Sequence, residues 1–238
     1  MSFRRALGSK CAKKSNEITA IPELLRILAL KGCIVTIDAM GCQREIVKQI
    51  VEQEADYVIS LNGNQGTLHK EVELLFQNAK ENGFKDLSHE TYETTDGEHG
   101  RIEIRRFTTT AEVDWFEDKS KWAKLTSFGM VESERQIGDK TTRETRYYIS
   151  SLPSDAKLFA QASRGHWGIE NGLHWSLDIA FREDESRIRK GHAATNLGII
   201  RHFALNLIKQ DKTRKRGVKA ARKRAGWDES YLHRLLSF

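Results

Sequence analysis

The sequence predicts an α/β protein whose α/β layer is interrupted by a mainly β segment and followed by a helical, basic C-terminus. Three observations carry that prediction. Helix-period and strand-like segments alternate up to Gly83, period-two alternation takes over between about Lys85 and Leu152, and helical spacing returns from Ser154 onward. With 238 residues, 39% hydrophobic and 30% charged, the chain can build one large domain or two small ones, which excludes a disordered or fibrous protein.

Each element has its own signal. Residues 1–15 are basic and without clear period. NEITAIPELLRILAL places Ile21, Leu24, Leu25, Ile27 and Leu28 at helical spacing, with Pro22 expected in the first turn. CIVTID is short and β-branched, a buried strand. AMG turns the chain into an amphipathic helix marked by Ile46, Val47, Ile50 and Val51. DYVISLN is a second strand, GNQG a turn, and TLHKEVELLFQNAKENG a third helix ending at Gly83, so a largely parallel sheet is expected. GRIEIRRF, WAKLTSFGMVESER and TRETRYYISSL alternate as antiparallel strands, with DGEHG as a turn. Helices are expected from Ser154 to Trp175 and from about Ser186 to Lys209. These shifts divide the chain into an N-terminal α/β part (1–84), a β-rich insertion (85–152) and a helical C-terminal part (153–238).

Several classes are excluded. The longest apolar run, Cys33 to Ile37, is far short of the ~18 residues that a membrane helix needs. The opening MSFRRALGSKCAKK has no continuous apolar core or cleavage site of a secretory signal. Cys11, Cys33 and Cys42 are a sparse, odd set without metal spacing, as expected in a reducing cytoplasm.

The net charge of +6 is concentrated at one end: residues 201–238 hold 11 Lys/Arg against three acids, whereas the first 200 hold 28 against 30. The run containing Arg214, Lys215, Arg216, Lys219, Arg222, Lys223 and Arg224 can neutralise phosphates and release counterions from DNA or RNA. The plainer alternative is a solvated helix face. Trp227, Tyr231 and Leu235, spaced by four, predict that the tail docks.

Two sites could carry chemistry. Asp38 ends the first strand, where ligands of open α/β sheets gather, so its carboxylate is placed to hold a cation or act as a base. Its alternative role is to cap a helix or close a turn. In GHWGIENGLHWSLDIAFRED, His166, Glu170, His174 and Asp178 recur every four residues beside Ile169, Leu173 and Leu177. Glu170 therefore stands at the edge of an apolar stripe, where a carboxylate needs a compensating cation. A polar face of mutual i,i+4 pairs is the alternative, and Trp167 and Trp175 are expected to pack. GNQG could offer backbone N–H groups to phosphate, and the Arg101/Glu103/Arg105 face of a strand could hold a phosphate backbone. A common turn and a half-exposed strand are the simpler readings of each.

Read in order, KSNEITAIPELL, TIDAMGCQ, GNQG, HGRIEIR, RYYISSL, HWGIENGLHWSLDIAFREDESRIRKGHAATNLGIIRH and the basic tail resemble the bacterial H-repeat-associated proteins, DDE transposases of insertion sequences. The resemblance covers about Lys14 to Phe238. It implies an RNase H-like catalytic fold, incomplete at the N-terminus, with a β-rich insertion before the last catalytic helix. It also implies metal-dependent cleavage and joining of transposon-end DNA by Mg²⁺ or Mn²⁺ held on three carboxylates, with DNA as partner, no membrane, and a homodimer as one possible assembly. TIDAMG places the second acidic residue at Asp38 and HWGIEN the third at Glu170, so these two carry the catalytic and metal-binding roles. Relatives supply the first from an IDGK-like motif. Here no aspartate precedes Asp38, the earlier acids being Glu17 and Glu23, and Asn62 stands where relatives commonly have lysine. The expectation is an N-terminally truncated transposase with little or no activity by itself. Two other classes compete: a non-enzymatic DNA-binding protein, and a zinc hydrolase using His166, Glu170 and His174, which lacks the HExxH arrangement.

Overall fold

The computed structural model describes residues 17–98, 101–169, 172–173, 175–213 and 216–237. These form two compact units, one within residues 11–166 and one within 167–238.

In the first unit, α1 (Glu17–Ile27) leads to β1 (Ile34–Ile37), a one-turn 3₁₀ helix (Ala39–Gly41), α2 (Arg44–Glu52), β2 (Asp56–Ser60), a second 3₁₀ turn (Gly63–Gln65) and α3 (Gly66–Glu81). The alternation read from the sequence is therefore present. Pro22, however, lies in the middle of α1, not its first turn. There it removes one helical N–H, and its carbonyl accepts from Gln49 Nε2 at 2.9 Å, tying α1 to α2.

The expected largely parallel sheet is corrected. Four further strands, β3 (Glu90–Glu98), β4 (Arg101–Thr110), β5 (Ser127–Ile137) and β6 (Lys140–Ser150), join the first two in one sheet of order β1-β2-β6-β5-β4-β3. Only β1 and β2 pair in parallel; β2 pairs antiparallel with β6, Ile59 opposite Ile149. The β-rich segment is thus continuous with the α/β layer. The cause lies in the inner ends of β5 and β6, which are buried and bring apolar residues to both faces. β3 has Tyr92 as its one large apolar residue, so no alternation announces it. Asp96–Glu98, read as turn, belong to β3, and residues 99–100 lie outside the described residues. The β5–β6 hairpin closes through Gly138 at φ +57°, a left-handed conformation that glycine adopts without a Cβ penalty.

Period-two alternation sorts the sheet's core. Tyr57, Ile59, Phe128, Met130, Tyr147 and Ile149 pack with Ile46, Val47 and Ile50 of α2 and Leu68, Val72 and Phe76 of α3. Val58, Val131 and Tyr148, from the alternate positions, pack instead with Phe159 and Ala160 of the next helix, α4 (Ala156–Ile169). Farther out along the ribbon, Glu103 is buried among Arg101, Arg105 and Arg135 at 3.2, 2.6 and 3.4 Å.

The second unit holds α5 (Trp175–Phe181), α6 (Ala193–Gln210), α7 (Val218–Ala225) and α8 (Glu229–Leu236). The stretch from Ser154 to Trp175 is not one α-helix: residues 172–173 are π-helical between α4 and α5. The helix expected from Ser186 starts at Ala193, because Gly191 sits at φ +53° and residues 186–190 have one large apolar side chain, Ile188, which is exposed. Ile208, Ala221, Tyr231 and Leu235 form this unit's core, with Phe181 and Val218 against it.

Candidate functional site

Asp38 follows the last residue of β1 and is exposed. Its backbone is extended (φ −69°, ψ 178°), and its Oδ1 accepts from the N–H groups of Met40 at 3.1 Å and Gly41 at 3.4 Å. The carboxylate therefore caps the 3₁₀ helix Ala39–Gly41, an element the sequence reading took for a plain turn. The alternative role of Asp38 as a cap is thus present, at this 3₁₀ helix and not at α2, whose N-cap position is Gln43. Oδ2 has no hydrogen-bond partner among the described residues. Gly41 is required in this loop, because a Cβ there would overlap the Ile37 side chain.

The turn after β2 acts on the same loop. Asn64 Nδ2 donates to the Ala39 carbonyl at 2.5 Å, and Gln65 Nε2 to the Cys42 carbonyl at 2.7 Å. Two adjacent amides thus brace the Asp38 loop from both sides of its 3₁₀ turn. The simpler reading of GNQG as a turn agrees with this, since the Gly63 N–H is taken by Asn62 Oδ1 at 2.8 Å and is not offered to a phosphate. Sequence reasoning missed this bracing role: GNQ is recognisable as a turn, but its partners lie more than 20 residues upstream. It missed Arg44 as well, which donates to Asp118 Oδ2 at 2.9 Å and lies 5.8 Å from the Trp122 ring centroid. Both line a cavity of about 290 Å³ beside the start of α3.

Glu170 and His174 lie outside the described residues, as do Arg214 and Lys215. Among the described residues no three His, Cys, Asp or Glu side chains form a metal-binding group. Trp175, expected to pack, is exposed. The Arg101/Glu103/Arg105 face is occupied internally: Arg105 reaches both Glu103 and Asp96, and Arg164 of α4 also reaches Asp96, at 2.8 Å. This matches the plainer reading of that strand.

The basic C-terminal run divides by partner. Arg222 lies 5.6 Å from the Phe181 ring centroid, and Arg224 is paired with Asp228 and 4.5 Å from the Tyr231 ring. The side chains of Arg216, Lys219 and Lys223 have no hydrogen-bond or ion-pair partner among the described residues. The tail docks as expected through Tyr231 and Leu235, but Trp227 is 73% exposed. Asp228 explains the break: it caps α8 by accepting from the Tyr231 N–H at 2.9 Å, leaving Trp227 outside the helix. Asp211 anchors the fold of this unit. Its buried carboxylate accepts from Thr213 and from the Tyr231 hydroxyl, which hold its pKa below the ordinary aspartate value against the opposing effect of desolvation.

A family model described as the transposase DDE domain matches residues 6–207. "Putative protein YbfL" of Escherichia coli K12 is 41% identical over 236 residues, 96% of this chain and 61% of its own length. "H repeat-associated putative transposase YhhI" of the same strain is 40% identical over 236 residues, with the same coverage, 96% and 61%. "Putative transposase YncI" of Escherichia coli O157:H7 is 41% identical over 232 residues, 96% of this chain and 59% of its own. The chain thus spans about 60% of the length of these relatives. No solved structure matches it.

Proposed function

The chain belongs to the transposase DDE-domain family, and from that premise we propose that it is a DNA-binding transposase chain in which Asp38 and Glu170 are two of the three metal-binding carboxylates of an RNase H-like site. The observation that carries this reading is the Asp38 carboxylate itself. It stands exposed at the C-terminal end of a parallel strand, one oxygen fixed by backbone N–H groups and the other free of partners among the described residues. A hard carboxylate oxygen on a braced loop fits Mg²⁺ or Mn²⁺, which prefer oxygen ligands. When bound, such a cation would polarise a phosphodiester oxygen and lower the pKa of a coordinated water. The chain's own contribution is positional: the cap orients Asp38, and Asn64 and Gln65 hold the loop.

These 238 residues contain no aspartate before Asp38. By themselves they therefore hold two carboxylates of three, and we expect DNA binding without strand cleavage. Among the described residues of the basic run, binding falls to Arg216, Lys219 and Lys223, whose side chains are unpaired there. Three neutralised phosphates give a log–log salt slope of about −2.7, roughly a 40-fold loss of affinity between ~50 and ~200 mM salt. The test combines duplex binding across that range with incubation of supercoiled DNA carrying transposon ends in Mg²⁺ or Mn²⁺. Salt-dependent binding without nicking is expected. Nicking abolished by Asp38→Ala and Glu170→Ala overturns the inactivity, and salt-independent affinity overturns the assigned cations.

A purely DNA-binding protein is the second reading, favoured by the fact that Asp38 already has a structural task as a cap. A calorimetric Mn²⁺ titration separates the two, since the second needs no carboxylate-dependent cation site.

A further inference from the structure

The C-terminal unit contains a cavity of about 810 Å³, lined by residues of α7, α8 and the segments preceding them. That volume lies within the roughly 300–1,000 Å³ of small-molecule sites. Asp211 and Tyr231, which line it, are buried, and the Tyr231 hydroxyl donates to Asp211 Oδ2 at 3.0 Å. Among the described residues, four cations also line it: Arg216, Lys223, Arg224 and Arg234.

The charges do not balance within the cavity. The one lining carboxylate among the described residues, Asp211, already accepts from Thr213, Tyr231 and Arg234. Arg224 is tethered to Asp228 and Arg234 to Asp211, and both guanidinium groups lie near the Tyr231 ring, at 4.5 and 5.0 Å. These two are held in place with donors to spare. Arg216 and Lys223 are unpaired among the described residues. The lining thus attracts an anion.

Trp227 narrows the class. It lines the same cavity and is 73% exposed, although an indole normally buries most of its surface. A simple phosphate has no use for an aromatic face, whereas a nucleotide has both a charged group and a flat base. In a duplex each base is stacked on its neighbours and unavailable to a side chain. We infer that this cavity binds an unpaired nucleotide of a DNA strand, its base stacked on Trp227 and its phosphates on Arg216 and Lys223. This deepens the DNA-binding reading above and rests on it. Base–aromatic stacking with a cationic groove is a sequence-tolerant mode, so single-stranded character is recognised, not a base identity.

The test compares the full chain with its Trp227→Ala and Trp227→Phe variants, each against oligo(dT) of about 12 nucleotides and a duplex of equal length. Trp227 is exposed, so thermal melts of the variants should coincide with the parent. The expected result is that Trp227→Ala weakens oligo(dT) binding roughly fivefold or more, that Trp227→Phe restores most of it, and that duplex affinity is unchanged. Quenching of tryptophan fluorescence by oligo(dT) should diminish in the Phe variant. Duplex binding combined with oligo(dT) binding that ignores Trp227 overturns this inference alone. Equal losses on both DNAs overturn it too, and failure to bind either DNA removes it together with the DNA-binding reading.

Discussion

Asp38 has two tasks in the proposed site, and substitutions can separate them. Replacing it by alanine removes the acceptor of two N–H groups, Met40 at 3.1 Å and Gly41 at 3.4 Å. The second bond is near the limit of useful geometry, the side chain is exposed, and the capped helix is a single turn. The cost should therefore fall in the lower half of the capping range, about 0.5–1 kcal/mol, or a Tm decrease of about 1–4 °C for a chain of this size. The Asp38→Asn variant, by contrast, keeps an oxygen in the same place, so its stability should change by no more than about a few tenths of a kcal/mol. It removes the negative charge, however, and with it the preference for a hard dication. Thermal melts and Mn²⁺ calorimetry on the parent and both variants provide the assay. The expected pattern is Tm lowered only in the alanine variant and the cation isotherm lost in both. If Asp38→Asn destabilises as much as Asp38→Ala, the cap is not what the side chain supplies. If both variants bind Mn²⁺ like the parent, Asp38 is not a ligand.

Separate parts of the structure carry three further expectations. Asn64→Ala and Gln65→Ala each remove one brace of the Asp38 loop, at about 1 kcal/mol, and should weaken Mn²⁺ binding with Asp38 intact; calorimetry that leaves the affinity unchanged would show the braces to be dispensable. Gly129→Ala would place a Cβ 2.5 Å from the buried Phe159 ring, an overpacking cost of about 1–3 kcal/mol in denaturant unfolding, which Phe159→Leu in the same chain should partly relieve. The Asp211 carboxyl is held below its ordinary pKa, so the unfolded chain takes up this proton more readily, and the stability it contributes rises with pH. That contribution is complete above the ordinary aspartate value of about 4 and is lost as pH falls through the lower folded value; melts of Asp211→Asn should therefore show a flatter acid limb than the parent.

Much of the first unit is legible in the sequence because each element there announces itself locally. The β-branched run before Asp38 and the apolar stripe of Ile46, Val47 and Ile50 need no distant partner to be read as strand and helix. The position of Asp38 at a strand end follows from the same local pattern. Its cap does not, because a one-turn 3₁₀ helix has no periodicity to detect. The family, likewise, is legible from motif order alone.

What tertiary structure decided is pairing at a distance. That β6 enters beside β2, turning an expected parallel sheet into a mostly antiparallel one, depends on Ile149 meeting Ile59 from far along the chain, which no local period encodes. The division of the basic tail is of the same kind. Lys223 and Arg224 are neighbours of like charge in the sequence, yet Asp228 and the Tyr231 ring claim one and leave the other open, because side-chain direction on a short helix settles which partner each can reach.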